Sequence, residues 1–181
     1  MDKLVLDEKI INNKIKKLVT ISNLKTLITK IFIIALTCYV ISGYMFGFIR
    51  MNDNSMSPYI SEGELILYYR MAKVYSIGDV IIFKLNDKDY ILRIVAVEGQ
   101  TVEIGEDGEL FVDGHTERHQ ALFKTVIPEN STIMYPYKVK EGNYFVVGDY
   151  RTQTNDSRIF GAISSNRIKG KVISLLKTRN I

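Results

Sequence analysis

Ser55 is the residue of this chain best placed to act as a nucleophile. It opens the tetrapeptide Ser55-Met56-Ser57-Pro58, six residues beyond an apolar run that ends at Ile49. A serine hydroxyl is a weak nucleophile at neutral pH, so it must pass its proton to a neighbouring base during attack. A lysine amine can be that base when burial lowers its pKa. The motif therefore directs the search for chemistry to a base elsewhere in the chain.

A second polar motif lies far downstream, over residues 148–158. It reads Gly148-Asp149-Tyr150-Arg151 and continues through Thr154 to Asp156-Ser157-Arg158. Aspartate, asparagine and serine also favour ordinary turns between strands, so such a stretch is not catalytic by composition alone. Its position after Ser55 in the chain, with a predicted hairpin between the two motifs, favours a functional role over an ordinary turn.

The two motifs, in this order, resemble the bacterial type I signal peptidases of the Gram-positive type, over about residues 31–176. The resemblance implies a Ser–Lys dyad with Ser55 as nucleophile. It also implies a supporting Asp156–Arg158 ion pair and a Thr154 hydroxyl beside the lysine. Asp149, Arg151 and Ser157 would complete the support around the site.

Three residues depart from the family pattern. Leu92 stands where these enzymes carry the lysine base, directly before Arg93. A guanidinium stays protonated, so Arg93 is expected to support the site without replacing that base. Asp53 lies where the enzymes often have serine or glycine near the oxyanion hole, and its carboxylate would repel a developing negative charge. Tyr59 replaces the threonine that usually follows the proline.

Lys84 is the nearest alternative base in the predicted hairpin. If the hairpin closes symmetrically about Asp87-Lys88, Lys84 faces Ile91 and points away from the side of the sheet that carries Leu92. Only a one-residue bulge would reverse that orientation.

His115 and His119 have the i, i+4 spacing of a metal pair, but solvated polar residues are the favoured interpretation. No metal or cofactor is predicted.

The run from Ile31 to Ile49 contains no charged residue and would span about 28 Å as a helix, close to the thickness of a hydrocarbon core. Seven lysines precede it, and the positive-inside bias then places the N-terminus in the cytoplasm. The predicted organisation is a basic cytoplasmic arm at 1–30, either an amphipathic helix or a flexible segment, a single transmembrane helix at 31–49, and an extracytoplasmic domain at 50–181.

The extracytoplasmic domain is predicted to be mainly β, an antiparallel sheet or barrel whose core holds without disulfides, since Cys38 is the only cysteine. Apolar runs flank polar turns at two predicted hairpins. Residues 116–139 show no clear period and are predicted to form an irregular surface excursion. The predicted strands are 64–70, 80–85, 90–97, 102–104, 110–112, 144–147 and 172–176, with a short helix near 164–167.

Charge and motifs together leave two competing functions. The net charge of +4 comes from the N-terminal arm, because residues 51–181 hold 16 basic and 17 acidic residues, so a nucleic-acid partner is not expected. The first function is a serine endopeptidase that removes signal peptides at the cell membrane. The second is a non-cleaving pseudo-enzyme that binds exported precursors, as in relatives with damaged dyads linked to pilus assembly. The expected partners are exported precursor proteins or pilins, and membrane lipid.

Self-cleaving repressors also use a Ser–Lys β fold, but the membrane span and the absence of a helix-turn-helix segment in the sequence count against that interpretation.

Overall fold

The computed structural model describes residues 2–117, 123–129, 131, 133–152 and 154–176, with the side chains of the first helix described at Lys14 and from Lys16 onward. The chain divides between Tyr44 and Met45 into two units. The first unit is helical and the second is built from antiparallel strands, as the sequence predicts.

Helix α1 runs from Asp2 to Met45 without interruption, so the predicted arm is helical over its described residues. Its stretch Lys16–Met45 is 30 residues long, has a mean hydropathy of 1.9 and buries none of its apolar window, which makes it long and apolar enough to cross a membrane. Its C-terminus corrects the predicted span, because the helix ends at Met45 and not at Ile49.

The last part of the predicted span is strand β1, Phe46–Arg50, which pairs with strand β2, Leu65–Tyr69. Gly47 allows this pairing because the Tyr68 ring lies against its Cα, where any Cβ would collide with the ring. An apolar run therefore changes from helix to strand with no change in composition to mark the boundary.

Two antiparallel sheets carry the second unit. The strands that follow β2 are β3 (Val80–Leu85), β4 (Lys88–Ala96), β5 (Thr101–Ile104), β6 (Leu110–Val112), β7 (His115–Thr116), β8 (Tyr137–Lys138), β9 (Asn143–Val147), β10 (Ile163–Ser164) and β11 (Ile168–Leu176). The larger sheet has seven strands in the order β1-β2-β11-β3-β4-β9-β10, and the smaller has four in the order β7-β6-β5-β8. Two short helical segments, α2 at Ser157–Phe160 and a 3-10 turn at Ser165–Arg167, flank β10.

The β3–β4 hairpin corrects the predicted register. The turn consists of Asn86 and Asp87, both with positive φ, so Lys84 lies opposite Asp89 and Ile81 lies opposite Leu92. Asparagine and aspartate tolerate positive φ, and a two-residue turn of this kind matches the twist of the flanking strands. The shift is two residues, which leaves Lys84 on the opposite face from Leu92.

Each sheet has its own apolar core. The larger core gathers residues from the segment after β1 and from strands β2, β3, β4 and β9, and the smaller gathers residues around β5, β6 and β9. Strand β4 contributes to both, because its residues from Leu92 to Ala96 are buried on both faces. The centre of β4 is therefore fixed by packing from two sides.

Candidate functional site

The segment that carries Ser55 is held by three buried apolar side chains. Met51, Met56 and Ile60 are at most 2% exposed and belong to the larger core. The Met51 N–H donates to the Glu64 carbonyl at 2.9 Å, which closes the segment at its base. These anchors leave Ser55 half-buried. The motif Ser55-Met56-Ser57-Pro58 thus buries Met56 and keeps Ser55 accessible.

The chain after β9 sits on the backbone of Ser55. The Tyr150 N–H donates to the Ser55 carbonyl at 3.0 Å. The Thr154 hydroxyl donates to the Tyr150 carbonyl at 2.6 Å and lies 3.3 Å from the Ser55 carbonyl oxygen. A Cβ at Gly148 would meet the Thr154 side chain and would lie 2.6 Å from the Ser55 carbonyl oxygen. Gly148 is therefore needed for this close approach.

Leu92 is 1% exposed and belongs to the same apolar core as Met56. It shares one face of β4 with Tyr90 and Lys88, because side chains alternate along a strand. A leucine can neither accept a proton nor hydrogen-bond a serine hydroxyl. Residue 92 consequently contributes hydrocarbon to the core and no basic group.

Asp53 makes a contact that its position in the sequence did not reveal. Its Oδ1 accepts the Ser55 backbone N–H at 3.0 Å. In chymotrypsin-type serine proteases the backbone N–H of the nucleophile is a donor of the oxyanion hole. If the Ser55 N–H had the same role, the Asp53 carboxylate would compete with an incoming carbonyl oxygen for this hydrogen bond and would repel its developing charge.

Ser55 opens onto a cleft of about 400 Å³. The cleft is largely polar, with one ammonium, two carboxylates and several amide side chains on its walls. Its lining residues are Asn52, Asp53, Asn54, Ser55, Glu62, Lys88, Tyr90, Tyr150, Thr154 and Asn155.

One wall of the cleft carries an open strand edge. Strand β4 pairs with β3 from Lys88 to Arg93, but its described pairing with β9 begins only at Arg93. The residues from Lys88 to Tyr90 are exposed or half-buried and have sheet partners on one side alone, whereas Ile91 and Leu92 are buried. An extended chain can add to such an edge by backbone hydrogen bonds.

Arg93 is held by a bidentate ion pair with Asp149. Its Nε and Nη2 donate to the two Asp149 carboxylate oxygens at 2.8 and 2.6 Å, and its Nη1 donates to the Gly78 carbonyl at 2.9 Å. Burial alone would lower the pKa of the guanidinium, but the hydrogen bond and charge of Asp149 outweigh it and raise the pKa. Arg93 therefore stays charged. The Tyr59 ring lies 4.9 Å from the guanidinium, which gives this departure from the family a packing role.

Asp156 and Arg158 form the ion pair that the family resemblance implies, and both side chains are at most 1% exposed. The Asp156 carboxylate accepts from Arg158 Nε and Nη2, each at 2.8 Å, from the Arg158 N–H and from the Gly148 N–H. It also caps helix α2. The Ser157 hydroxyl accepts the Val146 N–H at 2.9 Å, which ties the same turn to β9.

Arg151 reaches two residues that sequence reasoning missed. Its Nη2 donates to Glu117 at 2.6 Å and its Nη1 donates to Thr125 at 3.1 Å. Both partners are buried and lie within residues 116–139, which were predicted to be a surface excursion. That prediction is wrong for these two residues. A turn-rich composition gave no signal that one glutamate in it meets an arginine 34 residues away.

Neither Lys84, the alternative base, nor His115 lines the cleft. Lys84 forms an ion pair with Asp87 at 2.9 Å, its side chain is 48% exposed, and it does not line the cleft. His115 is exposed on β7, and His119 lies outside the described residues. Within the described part of the chain, no group of three or more histidine, cysteine or acidic side chains is placed to hold a metal ion.

Comparison with known proteins gives one consistent family. Residues 24–176 match the family described as signal peptidase, peptidase S26. The chain is 27% identical to signal peptidase I of Bacillus licheniformis over 77% of its length and 81% of the relative's. It is 30% identical to signal peptidase IB of Staphylococcus aureus over 67% of its length and 73% of the relative's. A crystal structure of a signal peptidase I from Enterococcus faecalis aligns with 57% of this chain and 100% of that chain, at 27% identity and a TM-score of 0.45.

Proposed function

Because this chain belongs to the signal peptidase family, peptidase S26, we propose that it binds exported precursor proteins at the Ser55 cleft and cleaves them very slowly or not at all. Ser55 is the retained nucleophile of this site, and Leu92 occupies the position of its missing base. Arg93, Asp149, Arg151, Thr154, Asp156, Ser157 and Arg158 support the cleft and do not react.

The observation that carries this proposal is the burial of Leu92 in the apolar core. Loss of a general base typically lowers the rate by about 10²–10⁴-fold, and removal of one member of a serine-hydrolase unit by about 10⁶-fold. Among the described residues that line the cleft, Lys88 carries the single amine, and its side chain is exposed to solvent. Efficient attack by Ser55 therefore lacks the proton acceptor that it requires.

The contact between Asp53 and the Ser55 N–H also supports slow cleavage, because it weakens stabilisation of the negative charge that develops in the transition state. Loss of one oxyanion-hole donor costs about 10²–10³ in kcat. The two departures act on different parts of the reaction, proton removal and charge stabilisation. Their effects are therefore expected to compound.

The open edge of β4 supports binding. A precursor segment added alongside residues 88–90 would gain backbone hydrogen bonds within the cleft that Ser55 and Thr154 also line. This mode of binding needs neither the lysine base nor a free oxyanion hole. Recognition is thus separable from cleavage in this chain.

The apolar stretch of α1 and the lysines at its start support a location of this activity at the membrane. We propose a single-pass topology with the lysines in the cytoplasm and the β unit outside, in accord with the positive-inside rule. Anionic lipid is then the partner of the basic segment, which includes Lys14, Lys16, Lys17, Lys25 and Lys30.

The test is a paired measurement on the full chain in detergent. A labelled signal-peptide substrate should bind wild type and Ser55→Ala with similar affinity, and Ser55-dependent cleavage should remain at background. Substrates drawn from secreted-protein and pilin precursors extend the same assay to both classes. Robust cleavage that disappears in Ser55→Ala would overturn the non-cleaving function, and absence of binding would overturn the binding function.

A further inference from the structure

Lys88 is the first residue of β4 and lies on the open part of its edge. It lines the cleft together with Ser55, and its ammonium sits 5.1 Å from the centroid of the Tyr90 ring. Tyr90 stacks on Phe83, which is fully buried, with ring centroids 5.5 Å apart. The aromatic platform under the ammonium is therefore anchored in the core.

The charge of Lys88 is not neutralised by an ion pair within the described residues. Its neighbours Asp87 and Asp89 are taken by other lysines, Lys84 at 2.9 Å and Lys169 at 2.6 Å. The third lysine of this sheet with a carboxylate partner is Lys171, which lies 2.7 Å from Asp79. The Lys88 ammonium thus contacts the Tyr90 ring and no carboxylate among the described residues, so its charge is available to a ligand.

Lys88 is too far along the strand to act as the missing base. It precedes Leu92 by four residues, which is about 13 Å of extended chain. A four-carbon stem is too short to return the amine over that distance, and an exposed ammonium is not desolvated as a lysine base must be. Its role in this cleft is that of a charge and not of a proton acceptor.

The two carboxylates of the cleft come from a different segment of the chain than Lys88. Asp53 accepts the Ser55 N–H at 3.0 Å, and Glu62 lies 3.5 Å from the Asn54 side-chain amide. Both occur in the segment between β1 and β2, whereas Lys88 lies on β4. A segment bound in the cleft would therefore meet positive charge from β4 and negative charge from the segment between β1 and β2.

We propose that Lys88 is a specificity-determining residue, which selects precursor segments carrying an aspartate or glutamate side chain on the β4 side of the cleft. The proposal rests on the binding function above and names its preferred substrate class. The carboxylate would pair with the ammonium at the start of β4 while the backbone of the segment pairs with the strand edge.

The experiment measures binding of labelled precursor peptides to the full chain in detergent. The probes share one sequence with small residues around the scissile bond, and each carries a single glutamate, glutamine or lysine at successive positions. An exposed ion pair is worth about 0.2–1 kcal/mol, so at one position the glutamate peptide should bind wild type about 1.4- to 5-fold more tightly than the glutamine peptide. Added salt should reduce that preference.

Three variants decide the role of Lys88. Lys88→Met should abolish the glutamate preference, and Lys88→Glu should reverse it in favour of the lysine peptide. Lys84→Met is the matched control, because Lys84 belongs to the same hairpin but not to the cleft, and it should retain the wild-type preference. Circular dichroism of each variant confirms that the sheet is intact.

The failures are distinguishable. If the glutamine peptide binds but no position shows a glutamate preference, or Lys88→Met keeps that preference, Lys88 is not the selecting residue and the binding function stands. If no peptide binds to wild type, both proposals are wrong.

Discussion

At the scale of single residues, exchange of Leu92 for lysine tests the missing base directly. An amine at a position that is 1% exposed has its pKa lowered by burial, which is the property a lysine base needs. Leu92→Lys should raise Ser55-dependent cleavage by about 10²–10⁴-fold over wild type. Adding Asp53→Gly should free the Ser55 N–H and give about 10²-fold more. The measurement is turnover of a signal-peptide substrate.

Two controls accompany this exchange. Leu92→Met has a similar volume but no basic group and should remain at background, and Leu92→Lys with Ser55→Ala should lose the gain. A folded Leu92→Lys/Asp53→Gly variant without cleavage would show that the cleft no longer aligns a peptide bond with Ser55.

Tyr135 offers a pH test of packing beside the Asp156–Arg158 pair. Its hydroxyl is buried without a hydrogen-bond partner among the described residues, and desolvation, followed by the charge of Asp156, raises its pKa from 10 to about 12. Because the unfolded chain ionises first, the stabilisation is complete below pH 10 and is lost as the pH rises towards about 12. Tyr135→Phe should match or exceed wild-type stability at neutral pH and should remove this part of the alkaline loss.

The measurement is chemical denaturation of both proteins from pH 8 to 11. The difference in unfolding free energy between them isolates Tyr135 from other alkaline titrations. A constant difference across that range would mean that the hydroxyl ionises equally in both states.

At the scale of elements, the turn from β9 to α2 depends on the charge of Asp156. Asp156→Ala would leave Arg158 buried without its partner, which costs about 3–5 kcal/mol for a buried pair. Glu106→Ala, at an exposed site, should change stability by less than about 0.5 kcal/mol. Equal unfolding free energies for the two variants in urea titrations would contradict this role of the pair.

Gly148 tests how closely the same turn approaches the Ser55 backbone. Gly148→Ala should destabilise the fold by about 1–3 kcal/mol through overpacking. Adding Thr154→Ala removes one collision but not the approach to the Ser55 carbonyl oxygen at 2.6 Å, so it should restore only part of the loss. Complete recovery in thermal unfolding would place the whole conflict at the Thr154 side chain.

Local sequence patterns predicted the strands of the hairpins, but they did not predict the long-range contacts. The apolar alternation of β3 and β4 and the polar turn between them are visible in the sequence, but four polar residues do not reveal which two take positive φ. Strand β1 was missed because its residues continue the apolar run of α1. The Arg151–Glu117 pair and the Asp53 contact were missed because tertiary packing, and not local pattern, brings these groups together.

At the scale of the whole molecule, the proposed topology can be tested with single cysteines. On a Cys38→Ser background, Lys140→Cys should react with a membrane-impermeant maleimide in intact cells, whereas Lys17→Cys should react only after lysis. Both positions are exposed on the protein, so accessibility reports the side of the membrane. The reverse pattern would place the β unit in the cytoplasm.

The open edge of β4 also bears on the solubility of the protein. An unpaired strand edge is a template for any extended chain, including a second copy of the same protein, and natural sheets protect such edges with charge, especially lysine. Lys88 and Asp89 stand at the start of this edge, and Lys88 has no carboxylate partner within the described residues. Two copies paired with Lys88 opposite Lys88 would bring like charges together. Lys88 therefore disfavours that register of self-association at the edge that admits a precursor.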